Sequence, residues 1–204
     1  MSAPRLNAHA AVLLAAGASE RLGQPKQLLR RAGETLLHRM ARLAASTTPA
    51  TLVIALPAHA HAMVELLRDF PDVKIIHPEP GKAMGASLQA AADSVRAFPR
   101  VLVLGCDQPA LESAHLHALL DGATSSESGC AATVLSGTVG VPAVMPGSWF
   151  EELEPTNGNA GFRERLRALP RPHLALFHAP GLALDIDTLD DLCTARRLGL
   201  IDPP

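Results

Sequence analysis

Two basic residues, Arg21 and Lys26, follow closely on a run of small residues, Ala15-Ala16-Gly17-Ala18-Ser19. An apolar run over 10–14 precedes them and reads as a buried strand. Where such a strand ends in Gly, Ala and Ser, the backbone is bare, and its N–H groups can face the oxygens of an anion. Arg21 and Lys26 add fixed positive charge beside those groups. The chemistry implied is the holding of phosphates. The string lacks the Gly-Lys-Ser/Thr ending of a P-loop, and it is not G-x-G-x-x-G.

Acidic residues stand at two further places. Asp107 comes directly after an apolar stretch over 101–104, in the string Gly105-Cys106-Asp107-Gln108-Pro109. A carboxylate at such a strand end can hold Mg²⁺ beside a triphosphate. Asp-Gln-Pro also fits an ordinary turn, with Asp107 capping a helix over 111–120. The second place is Asp185-Ile186-Asp187-Thr188-Leu189-Asp190-Asp191-Leu192. Asp187 or Thr188 would make a good N-cap, and Asp190 and Asp191 suit the first turn of a helix. A third string, Gly81-Lys82-Ala83-Met84-Gly85-Ala86-Ser87-Leu88, precedes a helix. It reads either as a plain loop or as a nucleotide contact made at a helix N-terminus through Gly85 and Ser87.

Strand and helix signals alternate along the chain. Helical spacing covers 35–45, 58–69, 85–97, 113–120, 160–169 and 188–198. Strand signals cover 51–56, 73–77, 101–104, 130–135, 174–178 and 182–186, and a short strand over 141–145 is broken by Pro142. The run over 101–104 has no polar alternation, which places it centrally, buried on both faces. Such alternation predicts one three-layer α/β/α domain over 1–204, with a mainly parallel sheet and right-handed crossovers. Ligands of such sheets sit at the carboxyl ends of the strands. The loops after 14 and after 104 both lie there.

Bulk composition narrows the partners. The 204 residues are 48% apolar and 19% charged, which suits a compact globule with a sizeable core. The net charge is −2, aromatics make up 3% and Tyr is absent, so a basic, base-stacking nucleic-acid groove is excluded. Cys106, Cys130 and Cys193 form neither a disulfide framework nor a zinc pattern, and each reads as a small buried residue. His59/His61 and His115/His117 are i, i+2 pairs, which do not share a helix face. No G-x-S-x-G string supports hydrolase chemistry. No apolar run reaches membrane-spanning length. The segment 8–19 reads as the first strand rather than as a signal peptide, and a cytoplasmic location is expected.

The string from Leu14 to Leu28 resembles the signature of the MobA-like nucleotidyltransferases, Leu-Ala-(Ala/Gly)-Gly-x-Ser-x-Arg-(Met/Leu)-Gly-x-x-Lys. Every fixed position is met. The resemblance extends to Leu192. The Asp-x-Asp-Thr-x-x-Asp-Leu string near the C-terminus is similar to one in the family and marks Asp187 as a second metal candidate, with Asp185 as runner-up. Gly140-Val141-Pro142-Ala143 resembles the family's Gly-x-Pro turn, and Gly158-Asn159-Ala160-Gly161-Phe162-Arg163 its Gly-Asp-x-Gly-Ala-Arg string. This chain departs from the pattern at Ala83, Asn159 and Phe162. Asn159 can cap a helix but cannot supply the negative charge of Asp.

The resemblance implies a Rossmann-like nucleotidyltransferase fold. It implies transfer of a nucleotide from a triphosphate to a phosphorylated acceptor, with release of pyrophosphate. Ala15-Ala16 and Asp107-Gln108-Pro109 look most like the molybdenum cofactor cytidylyltransferases. On that reading CTP, or GTP, is the donor and molybdopterin the acceptor. Arg21, Lys26 and Asp107 are the catalytic candidates. Leu14, Ala15, Ala16, Gly17, Ser19, Arg21, Lys26, Gly85 and Ser87 are the nucleotide-binding candidates. Asp107 and Asp187 would hold Mg²⁺. Gln108, Pro109, Gly140, Pro142, Asn159 and Arg163 would face the acceptor, with a recipient molybdoenzyme as a further candidate partner. A sugar-phosphate nucleotidyltransferase and a non-catalytic molybdopterin carrier are the alternatives.

Overall fold

A computed structural model of the chain describes residues 8–79, 84–153 and 161–204. The chain opens with β1 (His9–Leu14), then a 3-10 turn (Lys26–Leu28) and a small antiparallel hairpin of β2 (Arg30–Arg31) and β3 (Glu34–Thr35). There follow α1 (Leu36–Ser46), β4 (Thr51–Ala55), α2 (His61–Glu65), β5 (Lys74–Ile76), α3 (Met84–Val95) and β6 (Arg100–Gly105). The second half holds α4 (Ser113–Ser125), β7 (Cys130–Leu135), β8 (Thr138–Met145), α5 (Gly161–Ala168), β9 (Leu174–His178) and α6 (Leu189–Arg197).

Seven strands form one sheet in the order β5-β4-β1-β6-β8-β7-β9. Its β5–β4, β4–β1, β1–β6 and β7–β9 pairs are parallel, and β8 runs antiparallel between β6 and β7. Alternation along β1 sorts its side chains. Ala11 and Leu13 enter the core on one face with Leu37 and Met40 of α1, Leu116 of α4 and Leu192 of α6. Ala10 and Val12 enter the other core with Leu88 and Ala91 of α3 and Phe162 and Leu166 of α5. The layers are therefore α/β/α, as the alternation predicts.

Three elements differ from the sequence expectation, each for a local reason. The helix expected over 58–69 shrinks to His61–Glu65, because His59 takes a left-handed backbone at φ 62° and the chain turns again from Leu66. The strand over 182–186 is absent. Leu182 and Ile186 are buried, which mimics a strand pattern, but the Ile186 N–H goes to the Asp107 carbonyl at 3.0 Å rather than into a ladder. Pro142 does not break β8, which runs back to Thr138. The register passes from Ala132↔Ala143 to Thr133↔Gly140, so Val141 and Pro142 bulge out where no ladder N–H is needed. Among the cysteines, Cys193 is exposed rather than buried.

At the sheet's far side α4 lies close on β9. A Cβ on Gly122 would meet the Phe177 ring at 2.5 Å. Helix propensity alone would reward Gly122→Ala by about 1 kcal/mol. Overpacking should outweigh it and lower stability by ~1–3 kcal/mol. A lowered urea midpoint for this variant is the expected outcome; an unchanged or raised midpoint would refute the close contact.

Candidate active site

Neighbouring parallel strands β1 and β6 end side by side, with Leu14 paired to Gly105. The loops that leave them open together at the carboxyl edge of the sheet. The first loop is tightly ordered. Ser19, at φ 55°, accepts at its carbonyl from the N–H groups of Leu22 and Gly23, and its hydroxyl oxygen accepts from the Lys26 N–H at 3.2 Å. This tight turn aims the Lys26 side chain across the sheet edge. Its ammonium donates to Asp107 Oδ2 and to Asp187 Oδ1, both at 2.9 Å. Arg21 Nη2 donates to the other oxygen of Asp187, also at 2.9 Å. Two cations and two carboxylates thus form one chain of charge.

Exposure grades along that chain. The Lys26 side chain is 13% exposed, Asp107 26%, Asp187 42% and Arg21 72%. The ammonium lies at the floor and the guanidinium at the rim. Burial works against the charge on Lys26, but Asp107 and then Asp187 outweigh it and hold its pKa above the usual lysine value. The hydrogen bond from Lys26 pulls Asp187 below the usual carboxylate range, against its partial burial and with help from Arg21. Asp185, two residues earlier, goes the other way. Burial, and then the negative charges of Asp107 and Asp187, push its carboxyl up to about 6, against a hydrogen bond from Gln108 and the charge of Lys26.

Each carboxylate is held from behind. The Asp107 carboxylate folds back over Gly105, where a Cβ would stand 2.5 Å from Asp107 Oδ1, so a larger residue here would push that carboxylate from its place. Asp107 therefore does not cap a helix; α4 begins at Ser113, after Glu112. Arg31 donates to the Pro109 carbonyl, and Arg39 Nη2 donates to the Leu111 carbonyl at 2.9 Å and to Glu112 at 2.8 Å. These bonds pin the loop that carries Asp107. Asp187 is fixed by the start of α6. The Thr188 hydroxyl accepts from the Asp191 N–H, and Asp191 Oδ2 accepts from the N–H groups of Thr188 and Asp187. This is a capping box, with Thr188 as N-cap.

Other candidates take different places. Leu14 is half-buried, and Ala15 is buried with both backbone groups engaged: its N–H donates to Ala55 and its carbonyl accepts from Gln27. Ala16 and Gly17 lie on the open side of the loop. Gln108 is buried and donates to the Val141 carbonyl in the β8 bulge at 3.1 Å, so it ties the Asp107 loop to Gly140 and Pro142. Gly85 and the buried Ser87 lie in the first turns of α3, and Arg163 is exposed on α5. Among the described residues no hydrogen bond or ion pair joins these three to the charged chain. Asn159 lies outside the described residues. Sequence reasoning missed Gln27, Arg31, Arg39 and Gly105. None of the four carries a local signal, and Leu28 beside Gln27 is itself exposed.

Asp107 and Asp187 suit a divalent cation. Magnesium is commonly held by one or two carboxylates, with substrate phosphates filling other positions. Here two carboxylates from different loops reach a single ammonium nitrogen, so their oxygens already converge on one cationic position. Among the described residues no group of three or more His, Cys, Asp or Glu could hold a metal alone, so waters or ligand oxygens would have to complete the set.

The family model of the MobA-like NTP transferase domain matches residues 11–174, and the chain belongs to that family. The bifunctional protein GlmU of Bifidobacterium longum subsp. infantis is 33% identical over 134 residues, covering 62% of this chain and 29% of that protein. The chain therefore matches less than a third of the length of that curated relative. Among solved structures, Rv0371c of Mycobacterium tuberculosis H37Rv superposes with TM-score 0.74 at 29% identity, over 94% of this chain and 97% of that one. It has also been solved as a complex with manganese, which matches at 26% identity and the same TM-score and coverage. Molybdopterin-guanine dinucleotide biosynthesis protein A of Archaeoglobus fulgidus superposes with TM-score 0.62 at 19% identity, over 93% and 97% of the two chains, a likeness of fold. No helix among the described residues is long and apolar enough to cross a membrane.

The raised pKa of Asp185 has a stability consequence. The folded state favours the neutral acid, so native stability falls as pH rises from the unfolded value near 3.8 through about 6, and stays lowered above it. Asp185→Asn should therefore unfold at a higher urea concentration than the parent at pH 7.5 and at a similar one near pH 3.5. Equal midpoints at pH 7.5 would refute the assigned burial of that charge.

Proposed function

We propose that this MobA-like NTP transferase moves CMP from CTP to the terminal phosphate of molybdopterin, or of the molybdenum cofactor, and releases pyrophosphate. The observation that carries the nucleotidyl-transfer reading is the Arg21–Asp187–Lys26–Asp107 chain at the open end of the Ala16–Ser19 loop. The choice of CTP rests on Ala15-Ala16 and Asp107-Gln108-Pro109. GTP is the second reading, favoured by the fold neighbour whose name specifies a guanine dinucleotide.

In the reaction, an oxygen of the acceptor phosphate forms a bond to the α-phosphorus of the nucleotide. The bond from that phosphorus to the bridging oxygen breaks, and pyrophosphate leaves with the electron pair. The attacking oxygen is already anionic, so no general base is required. Rate must come from alignment and from neutralising charge as the leaving group separates. A divalent cation held by Asp107 and Asp187 would supply part of that neutralisation when bound.

The side chains supply the rest. With its four charges balanced, the resting cluster offers a triphosphate no net attraction. Lys26 must therefore leave the two carboxylates for phosphate oxygens, which frees Asp107 and Asp187 for a cation. Arg21, at the exposed rim, reaches the triphosphate first and then screens its charge. The backbone of Ala16 and Gly17 would seat the phosphates, with α3 bringing Gly85 and Ser87 toward the nucleotide. Gln108 and Pro109, with the bulge between Gly140 and Pro142, would shape the acceptor side, joined by Arg163.

Pyrophosphate release in the presence of Mg²⁺, with each of the four nucleoside triphosphates and with or without molybdopterin, tests the reading. Release with CTP that requires the pterin is expected. A preference for GTP would shift the assignment to the guanylyl reaction. Pterin binding without release from any triphosphate would replace transfer with a carrier role. Lys26→Ala should lower turnover on the order of a hundredfold, the scale of one lost electrostatic contact at about 2.7–4 kcal/mol. Near-normal turnover of that variant would remove Lys26 from the mechanism.

A further inference from the structure

Gln27 is 1% exposed and lies directly behind the first loop. Its amide nitrogen donates to the Ala15 carbonyl at 2.7 Å and to the Gly17 carbonyl at 3.0 Å. Both amide hydrogens are thus used. Its Oε1 is buried with no hydrogen-bond partner among the described residues. Turning the amide over would aim that oxygen at two carbonyl oxygens, so the observed orientation is the one that can form, and it persists at the expense of an unsatisfied acceptor.

The two accepted carbonyls dictate what the loop shows outward. In a trans peptide the C=O of one residue and the N–H of the next lie in one plane and point in opposite directions. The cis bonds of the described chain precede Pro142 and Pro172, so both peptides here are trans. With the Ala15 carbonyl drawn inward, the Ala16 N–H points out; with the Gly17 carbonyl drawn inward, the Ala18 N–H points out. Neither N–H donates to any group of the described residues. Ala15 and Ala55 hold the near end of the loop in the sheet, so the outward peptides sit on a fixed base.

We propose that Gln27 is a positioning residue, which aims the Ala16 and Ala18 N–H groups into the site as two fixed donors for the triphosphate oxygens. This rests on the nucleotidyl-transfer reading above and adds a residue to it. Gln27 touches no ligand itself. Its effect passes through the peptide planes it orients, and it should bear on nucleotide affinity more than on the intrinsic rate.

The test uses the full chain labelled with ¹⁵N-alanine. On titration with CTP the Ala16 and Ala18 amide resonances should move downfield. In Gln27→Met, which keeps the bulk and loses both donors, those shifts should vanish and the CTP Kd should rise by about tenfold or more, the scale of lost hydrogen bonds to charged oxygens. Leu174→Ala, a core variant at the start of the edge strand β9 and at the opposite end of the sheet from the loop, should lose thermal stability yet keep the CTP Kd, which separates aiming from general destabilisation. Unchanged Kd and unchanged shifts in Gln27→Met would overturn the inference. So would a parent protein that binds CTP with resonances other than Ala16 and Ala18 moving, and either result leaves the transfer reading standing. A parent protein that binds none of the four triphosphates would overturn both.

Discussion

A single ammonium group held between two carboxylates organises the working end of this protein. Lys26 meets Asp107 and Asp187 across sequence separations of 81 and 161 residues. Three loops with nothing in common locally must therefore close on one point. Charges at that depth are costly to bury unless paired, so the Lys26 position constrains the carboxylates as firmly as they constrain it. The parallel β1–β6 pair makes the closure possible, since it delivers two loops to the same sheet edge. The Ile186 N–H, bonded to the Asp107 carbonyl, draws the third loop in.

Around this point the supporting residues divide the labour. Gln27 and Gln108 each follow a charged residue of the cluster, and each uses its amide to tie backbone carbonyls behind it. Each also has a buried oxygen with no hydrogen-bond partner among the described residues. Arg31 and Arg39 hold the Asp107 loop from the side of α1, while the capping box of α6 holds Asp187. Buried amides and guanidinium groups thus fix the backbone, and the exposed edge is left to Arg21. On the proposed nucleotidyl-transfer reading a highly charged ligand would gain from this order, because the donors are fixed before it arrives.

Much of this was legible in the sequence. Alternation of strand and helix signals predicted the three layers, and small residues after a strand, with Arg21 and Lys26 close behind, located the loop. Asp107 was found because it follows an apolar run with no alternation, the mark of a strand buried on both faces. What could not be read were interactions between distant residues. Nothing local distinguishes Gln27 from a surface glutamine, or shows that a side chain at Gly105 would press on the Asp107 carboxylate. Local pattern also misled where burial and pairing part company. Leu182 and Ile186 are buried as strand residues would be, yet the Leu182 N–H closes a local 3-10 turn and the Ile186 N–H goes to the Asp107 loop, neither into the sheet.

If the ammonium of Lys26 stands where a divalent cation would bind, cation and triphosphate must depend on each other. Free Mn²⁺, titrated by electron paramagnetic resonance into the protein alone and into the protein with CTP, measures that dependence directly. The account predicts weak binding to the protein alone and an affinity for the protein–CTP complex well above the affinities of protein and CTP taken separately. A Mn²⁺ affinity that CTP leaves unchanged, or that matches CTP in free solution, would contradict it.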